Sequence, residues 1–188
     1  MFLGQIDLER QEGKRLLLSL CKDVAQGLAH LHNINVIPED LGARTCQITA
    51  ELIVKIGDYG LAKSSHPEDY LSADPATTSN HSLAQSGIEE GGQNLHLFQP
   101  LRWLSPETLD RMLKEGGCSS VKQGRTESIW SLGITLWEMC YLCQKQPFDQ
   151  IADHQFLRAS LIHSELTLLP IPIKVSMQYN LNFRAVAT

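Results

Sequence analysis

The first regular pattern along the chain is an amphipathic helix. Between Lys14 and His32, apolar residues recur at steps of three and four, the spacing of one face of an α-helix. The pattern stops near Asn33. Two short β-branched segments, Cys46–Thr49 and Leu52–Ile56, follow it. These patterns predict a helix and then a small β-hairpin.

A second apolar stretch predicts a helix in the interior of a domain. From Glu127 to Cys143, apolar residues including Trp130 occupy nearly every side of a helical projection, which is typical of a central helix. Another helix is predicted over Gln155–Ile162, before prolines that end regular structure. Residues 174–188 show no period and are predicted to form an irregular tail.

The segment between the hairpin and the second helix has a different composition. Residues 72–94 are rich in Ser, Thr, Ala, Gly, Gln and Asn, with few apolar residues that could offset the entropy of ordering. We expect a long loop there, of the kind that serves as a functional lid or an insertion. Regular structure is expected to resume at Leu97–Trp103.

The overall composition is that of a soluble globular protein. The chain has 188 residues, of which 43% are hydrophobic and 20% charged, and this argues against disorder along its whole length. A net charge of -5 and the absence of a Lys/Arg run argue against a nucleic-acid-binding module. No apolar run approaches the ~20 residues of a membrane span, so we expect no membrane contact from this chain itself.

The cysteines favour a reducing compartment. There are five of them, an odd number without a regular spacing, which is typical of free thiols inside the cell. Cys140 and Cys143 have the spacing of half a zinc site, but the sequence holds no second pair with that spacing. We interpret them as small apolar side chains of the second helix, with a zinc half-site as the alternative.

Two aspartates have neighbours that favour a chemical role. Asp40 follows the first predicted helix, and Asp58 follows the hairpin and begins an Asp-Tyr-Gly sequence that ends at Gly60. Either residue alone is more typical of a turn or a helix cap than of a catalyst. Their order changes this interpretation, because the long loop, a Ser-Pro-Glu sequence ending at Glu107 and the helix that contains Trp130 come next.

This order of motifs resembles the C-terminal lobe of a protein kinase over residues 14–169. The sequence from Asp40 to Cys46 is similar to the catalytic loop, and Asp58–Gly60 takes the place of Asp-Phe-Gly. Glu107 ends the counterpart of Ala-Pro-Glu, and the residues around Trp130 are similar to the central helix of the kinase lobe.

The resemblance can be narrowed to a subfamily. Arg44, four residues after Asp40, and the sequence Pro100–Trp103 are typical of tyrosine kinases. The sequences Val54–Leu61 and Glu68–Tyr70 are in addition similar to those of the lemur (apoptosis-associated) kinases. Serine/threonine activity has been assigned to members of that family, so the resemblance leaves the substrate residue open between Tyr and Ser/Thr.

The resemblance implies a mainly α fold with a small β component (α+β), in which helices surround a buried central helix. Residues 1–173 would form a partial kinase domain, with 72–94 as an insertion in its activation segment. Before Asp40 the sequence has no glycine-rich loop and no strand lysine of the kind that binds ATP. We therefore expect the N-terminal lobe to be missing from this chain.

The resemblance also implies ATP and Mg²⁺ as cofactors. Asp40 would accept the proton of the substrate hydroxyl, and Arg44 would place the acceptor or the transferring phosphate. Asp58 would hold Mg²⁺, Thr45 would be a second metal ligand, and Gln47 would lie under the adenine. These three residues make up the implied ATP site.

Further residues are implied in substrate binding, regulation and structure. Pro100, Arg102 and Trp103 would form the floor for the backbone of a protein substrate. Tyr70, preceded by two acidic residues, has the sequence of an activation-loop phosphosite, with an ordinary exposed tyrosine as the alternative. Gly60, Glu107 and Trp130 are expected to be structural.

Five positions depart from the kinase pattern. Pro38 and Glu39 replace the usual His and Arg before the catalytic Asp, and Glu39 would repel a phosphate on the activation loop. Thr45 replaces an Asn, and Gln47 replaces an apolar residue. Ser128 replaces the Asp that normally ties down the catalytic-loop backbone, so we expect a loop that is braced differently or loosely.

Two functions from different classes follow from this resemblance. In the first, the parent protein transfers a phosphoryl group from ATP to a protein hydroxyl, and this chain alone is inactive. In the second, the region is a pseudokinase or scaffold that binds a regulatory protein without phosphoryl transfer, in the cytoplasm in either case. An unrelated small helical adaptor would require all of the motifs to be coincidental.

Overall fold

The computed structural model describes residues 3–57, 61–72, 98–114, 123–153 and 156. The first long element is helix α1, Gln11–Asn33, and the amphipathic helix predicted from Lys14 to His32 is thereby confirmed. Its buried side chains follow the predicted steps of three and four: Leu17, Leu20, Val24 and Leu28. α1 ends where Asn35 adopts the left-handed conformation, with φ of 58°, which asparagine tolerates better than most residues.

The predicted hairpin is also confirmed. Strands β1, Cys46–Ile48, and β2, Val54–Ile56, pair antiparallel, with Gln47 opposite Lys55. The hairpin lies directly on α1, because a Cβ added to Gly27 would lie 3.3 Å from the Ile56 side chain. The second half of α1 and the hairpin are therefore one packed unit.

Short elements follow the hairpin. Helix α2 covers Ala62–Ser65, strand β3 covers Leu71–Ser72, and strand β4, Phe98–Gln99, pairs antiparallel with β3. After the residues that are not described, strand β4 begins at Phe98, within the range Leu97–Trp103 where the sequence predicts regular structure, and helix α3 covers Pro106–Lys114. The predicted loop 72–94 lies, apart from Ser72, outside the described residues.

Helix α4, Arg125–Cys140, is the predicted interior helix. One side of it, with Leu132 and Met139, packs into an apolar cluster formed with α1 and β2. The opposite side, with Trp130 and Ile134, packs into a second cluster, formed by apolar residues between 101 and 112 and by Phe148, Ile151 and Phe156. This double packing explains why apolar residues surround the helix.

The end of α4 differs from the prediction. The helix ends at Cys140 instead of Cys143, because Leu142 and Cys143 both adopt the left-handed conformation, with φ of 54°. Ile129 is 57% exposed, so the buried surface of the helix does not extend all the way round it. The predicted helix Gln155–Ile162 and the tail 174–188 lie outside the described residues, apart from Phe156.

The described architecture is helix-rich, with two small antiparallel sheets, and agrees with the predicted mainly α class. Within the described residues, no helix combines the length and the apolarity needed to cross a lipid bilayer. Cys143 packs against the α1 cluster as a small apolar residue would, and burial raises the pKa of its thiol to about 12.

Candidate active site

A cleft of about 510 Å³ opens between the end of α1, the end of the hairpin and β4. Asp40, Lys63, Tyr70 and Pro100 are among the residues that line it. Gly57, the residue before Asp58 in the sequence, also lines it. Asp58 and Gly60 themselves lie outside the described residues, and their implied roles stay predictions.

Asp40 lies in the cleft with both carboxylate oxygens engaged. Its Oδ1 forms an ion pair with the guanidinium of Arg44, which lies one turn further along the chain. Its Oδ2 accepts a hydrogen bond from the hydroxyl of Tyr70 at 2.5 Å. The Nε of Arg44 donates to the same hydroxyl at 3.1 Å. Asp40, Arg44 and Tyr70 thus form a closed triangle of hydrogen bonds.

Arg44 is the best-surrounded member of this triangle. Its side chain is 2% exposed, and its guanidinium lies 4.1 Å from the ring centroid of Trp103 and 3.8 Å from the carboxylate of Asp69. Burial alone would lower the pKa of Arg44, but Asp40, Tyr70 and Asp69 raise it by more. Arg44 is therefore a permanent positive charge beside Asp40.

Tyr70 is fully buried, so the alternative of an ordinary exposed tyrosine is wrong. Burial, and then the charge of Asp40, raise the pKa of its phenol, which keeps the hydroxyl protonated and able to donate. The Nζ of Lys63 lies 5.5 Å from its ring centroid. The assignment of Tyr70 as a phosphosite stays a prediction.

Thr45 and Gln47 flank the catalytic-loop region in different ways. Thr45 is 2% exposed, and its hydroxyl donates to the carbonyl of Gly42 at 3.0 Å and accepts from the amide of Gly42 at 3.2 Å. The hydroxyl thus closes its own turn instead of facing the cleft. Gln47 is exposed on β1. Their implied roles at metal and adenine stay predictions.

Of the three residues implied in substrate binding, Pro100 borders the cleft and the other two point inward. Arg102 is 2% exposed and donates to the carbonyls of Pro147, Phe148 and Ile151, at 3.1, 2.7 and 2.7 Å. It also pairs with Asp153 at 2.6 Å. Arg102 therefore stabilises the proposed substrate floor from the interior of the fold.

Helix α4 carries a stripe of buried polar residues that the sequence pattern did not predict. Its members lie three or four residues apart on one face of an otherwise apolar helix: Ser128, Ser131, Thr135 and Glu138. That spacing was a readable signal, because a polar stripe inside a buried helix needs polar partners. For Ser131, Thr135 and Glu138, the partners include backbone groups of the segment that carries Asp40 and of the segment before α3.

Glu138 connects these two segments through one oxygen. Its Oε2 accepts from the amide of Ala43 at 3.1 Å and from the indole Nε1 of Trp103 at 2.6 Å. Burial raises the pKa of Glu138 to about 7, although the two hydrogen bonds and the nearby Arg44 oppose the shift. Glu138 therefore titrates near neutral pH inside the fold.

The remaining predicted residues have structural surroundings. Trp130 packs against the second apolar cluster, and Glu107 is exposed in the first turn of α3. Among the described residues, the three side chains grouped closely enough to share a metal ion are His66, Glu68 and Asp69, with no cysteine among them. The described residues thus give no support to a zinc half-site at Cys140 and Cys143.

The arrangement at Asp40 has a definite chemical capacity. A carboxylate that already accepts a hydrogen bond from a phenol is placed to take a proton from a hydroxyl group. The adjacent guanidinium can offset negative charge that develops on the reacting oxygen. Both features need the loop geometry of residues 39–45, which is held by the hairpin on one side and α4 on the other.

Comparison with known proteins gives a consistent result. The model of the family described as protein tyrosine and serine/threonine kinase matches residues 7–82 and 76–177. The chain is 37% identical over 147 residues to serine/threonine-protein kinase LMTK1 of Mus musculus, which covers 78% of this chain and 9% of the relative. It is 36% identical over 143 residues to serine/threonine-protein kinase LMTK3 of the same species, covering 76% of this chain and 8% of the relative.

More distant relatives include a receptor. The chain is 29% identical over 142 residues to the insulin-like growth factor 1 receptor of Bos taurus, which covers 76% of this chain and 18% of the receptor. The matched region thus spans less than a fifth of the length of these relatives. The resemblance to lemur kinases noted in the sequence is confirmed by the two LMTK proteins.

Proposed function

Because this chain belongs to the protein tyrosine and serine/threonine kinase family, we propose that it supplies the acceptor side of a protein kinase active site. In this proposal, a phosphoryl group passes from ATP to a protein hydroxyl, and Asp40 accepts the hydroxyl proton. The observation that carries the proposal is the 2.5 Å hydrogen bond from the phenol of Tyr70 to Asp40. It supports the idea that a hydroxyl reaches this carboxylate in a geometry suited to proton transfer.

Arg44 is proposed to place the acceptor and offset charge. Its Nε contacts the hydroxyl oxygen that Asp40 also contacts, so both act on the same atom. For an incoming Tyr, Ser or Thr side chain, the pair would orient the oxygen before the transfer, and orientation accounts for much of phosphoryl-transfer catalysis. Pro100 at the edge of the cleft would contact the substrate backbone.

The described residues fit the implied ATP and Mg²⁺ only in part. The hydroxyl of Thr45 is buried and bonded to both backbone groups of Gly42, so in this conformation it is directed into its own turn. Metal binding by Thr45 would require this turn to open. The proposal for Mg²⁺ therefore rests on Asp58, with Gln47 exposed on the side proposed for adenine.

A scaffold or pseudokinase function is the second candidate, and one observation favours it. Both carboxylate oxygens of Asp40 are satisfied within the chain, by Arg44 and by Tyr70. A region that only binds a regulatory protein does not need a free carboxylate at Asp40, so these two contacts would not impair its function. Glu39 and Ser128, which depart from the kinase pattern, are consistent with the same function.

Phosphate transfer from ATP to protein hydroxyls, measured on the protein as the cell makes it, tests the proposal. Asp40→Asn should lower the rate by a factor of about 100 or more, because the proton acceptor is lost, while the thermal shift caused by Mg·ATP should persist. Asp110→Asn is the matched control, because Asp110 is paired with Lys114 on the surface of α3. Absence of both transfer and shift in the unmodified protein contradicts the enzyme. Partner binding that is indifferent to Asp40→Asn then supports the scaffold.

A further inference from the structure

The segment that carries Asp40 is hydrogen-bonded at every second residue to side chains of α4 or of the residues just before α4. The carbonyl of Glu39 accepts from the side-chain amide of Gln123 at 3.1 Å. The carbonyl of Leu41 lies 3.4 Å from the hydroxyl of Thr135. The amide of Ala43 donates to Glu138 at 3.1 Å. Three backbone groups around Asp40 are thus held by three side chains.

Ser128 stands where kinases place the aspartate that holds this segment, and its hydroxyl is occupied elsewhere. It is fully buried and donates to the carbonyl of Arg125 at 2.8 Å. It also lies 2.8 Å from Nε2 of His32 at the end of α1. Since the single hydroxyl proton goes to Arg125, the ring nitrogen of His32 is the donor in that contact. Ser128 therefore joins α1 to α4.

Gln123 is the side chain that reaches the segment next to Asp40. It is 7% exposed, two residues before α4, and its Nε2 donates to the carbonyl of Glu39. Because a carbonyl only accepts, this contact fixes which end of the amide faces Glu39. The Oε1 is then directed toward the hydroxyl of Ser131, at 3.5 Å. The proton of Ser131 goes to the carbonyl of Trp103 at 2.8 Å, so the hydrogen bond to Glu39 is the contact that orients Gln123.

The carbonyl of Glu39 and the amide nitrogen of Asp40 belong to one planar peptide group. A side chain that fixes the carbonyl oxygen therefore also fixes the direction in which the chain enters Asp40. Thr135 has less effect, because its proton is directed to the carbonyl of Ser131 at 2.7 Å and only weakly to Leu41. Of these contacts, the hydrogen bond from Gln123 is the one made to the peptide group that contains the amide nitrogen of Asp40.

We propose that Gln123 is a positioning residue for Asp40, and that it replaces, through the carbonyl of Glu39, the support that Ser128 does not give. The proposal rests on the proposed role of Asp40 in phosphoryl transfer. The support is uncharged, unlike the aspartate it replaces, so it does not depend on the ionisation of a carboxyl group. Gln123 is not among the residues that line the cleft, and it reaches Asp40 only through the carbonyl of Glu39.

Hydrogen exchange, measured by mass spectrometry on the protein as the cell makes it, tests this inference. Gln123→Leu removes the donor, and the peptide containing residues 39–43 should exchange about tenfold faster, the effect of one lost hydrogen bond. Peptides from α1 and the hairpin should be unchanged. Gln5→Leu, at an exposed position, is the matched control and should leave all peptides unchanged. Unchanged protection of 39–43, or equal loss in every peptide, overturns the inference.

Gln123→Glu gives a second measurement that holds even where Gln123→Leu fails to fold. Glutamate keeps the size of glutamine but donates a hydrogen bond only when protonated. Burial beside a carbonyl favours the protonated acid and raises the pKa of a glutamate at this position above its ordinary value of about 4.3. Relative to the unmodified protein at the same pH, protection of 39–43 should therefore be lower at about pH 8 than at about pH 5. Equal protection at the two pH values overturns the inference.

Turnover separates this inference from the proposed function. Where the protein transfers phosphate, Gln123→Leu should lower kcat about tenfold and leave KM for ATP within about twofold, because orientation of Asp40 is lost without a lost ATP contact. An unchanged kcat overturns the positioning role. If the unmodified protein transfers no phosphate, the proposed function fails, and the exchange data alone decide whether Gln123 holds the segment.

Discussion

The region around Arg44 and the region around Arg102 bury an arginine to the same extent but use it differently. Each side chain is 2% exposed. Arg102 donates to three backbone carbonyls that follow α4, and these acceptors neither titrate nor rotate away. Arg44 contacts side chains instead, those of Asp40, Tyr70 and Asp69. Burial alone thus does not distinguish an arginine that holds the fold from one that serves a site; the nature of its partners does.

The largest expected effect comes from the Arg102 region. Arg102→Met should lower the free energy of unfolding by about 3–5 kcal/mol, because three buried carbonyls and Asp153 lose their donor. Urea denaturation measures the loss. Arg10→Met removes an arginine that is 77% exposed and should leave stability nearly unchanged. A loss below about 1 kcal/mol for Arg102→Met would remove the contrast between the two regions.

Glu138 lies between the two regions, and its titration should be the next largest effect. The pKa of its carboxyl rises from 4.5 to about 7 in the fold, so the fold keeps a proton that the unfolded chain releases. This contribution to stability is full below about pH 4.5 and is lost as the pH rises through about 7, up to about 3 kcal/mol. Urea denaturation across this range should show the loss in the unmodified protein and its absence in Glu138→Gln. Parallel pH curves for the two proteins would contradict it.

Arg44→Met should cost less than Arg102→Met, about 2 kcal/mol, because its carboxylate partners can take up water or protons. Burial already raises the pKa of Asp69 against the attraction of Arg44, so losing the guanidinium should let Asp69 bind a proton at higher pH. The stability loss in Arg44→Met should therefore shrink as the pH falls from about 7 to about 5, whereas the loss in Arg102→Met should change less, because three of its four partners are carbonyls. Denaturation at the two pH values distinguishes the arginines, and equal pH dependence would show that their partners act alike.

The smallest effect is expected for the phenol of Tyr70. Tyr70→Phe removes one hydrogen bond to Asp40 and should lower the free energy of unfolding by about 1 kcal/mol. Because burial and Asp40 raise the pKa of Tyr70, the ultraviolet absorbance of tyrosinate should show a late-ionising group at alkaline pH. That step should be missing in Tyr70→Phe. Its persistence in the variant would assign it to another tyrosine and contradict the closed triangle around Asp40.

The elements predicted from the sequence were those with a repeating pattern. α1, the hairpin and α4 were found because their buried positions recur with the period of the element. The family was also predicted from the sequence, because several motifs in the expected order are more specific than any single residue. Asp40, whose catalytic role is implied by the resemblance, lies at a cleft in the described structure, and that role stays a prediction. The role of Asp58 stays a prediction.

What the sequence did not reveal depends on contacts between distant segments. Tyr70 meets Asp40 across 30 residues, and Gln123 meets Glu39 across 84, without any periodic signal. The inward direction of Arg102 depends on the path of the chain after α4. Glu138 could have been found, because a charged residue within an apolar helix requires a buried partner. A pattern of apolar residues alone does not show the stripe, because its polar positions count only as gaps.

The polar stripe of α4 gives the active-site region a common reference. Glu138 contacts the segment after Asp40 and also Trp103, and Ser131 donates to the carbonyl of Trp103 at 2.8 Å. A small displacement of the helix therefore carries both segments in the same direction and by a similar amount. Their mutual spacing, which sets the distance between Asp40 and the floor at Pro100, is insulated from strain that reaches the helix from either apolar cluster. Strain of this kind moves both sides of the cleft together, so it changes the width of the cleft little.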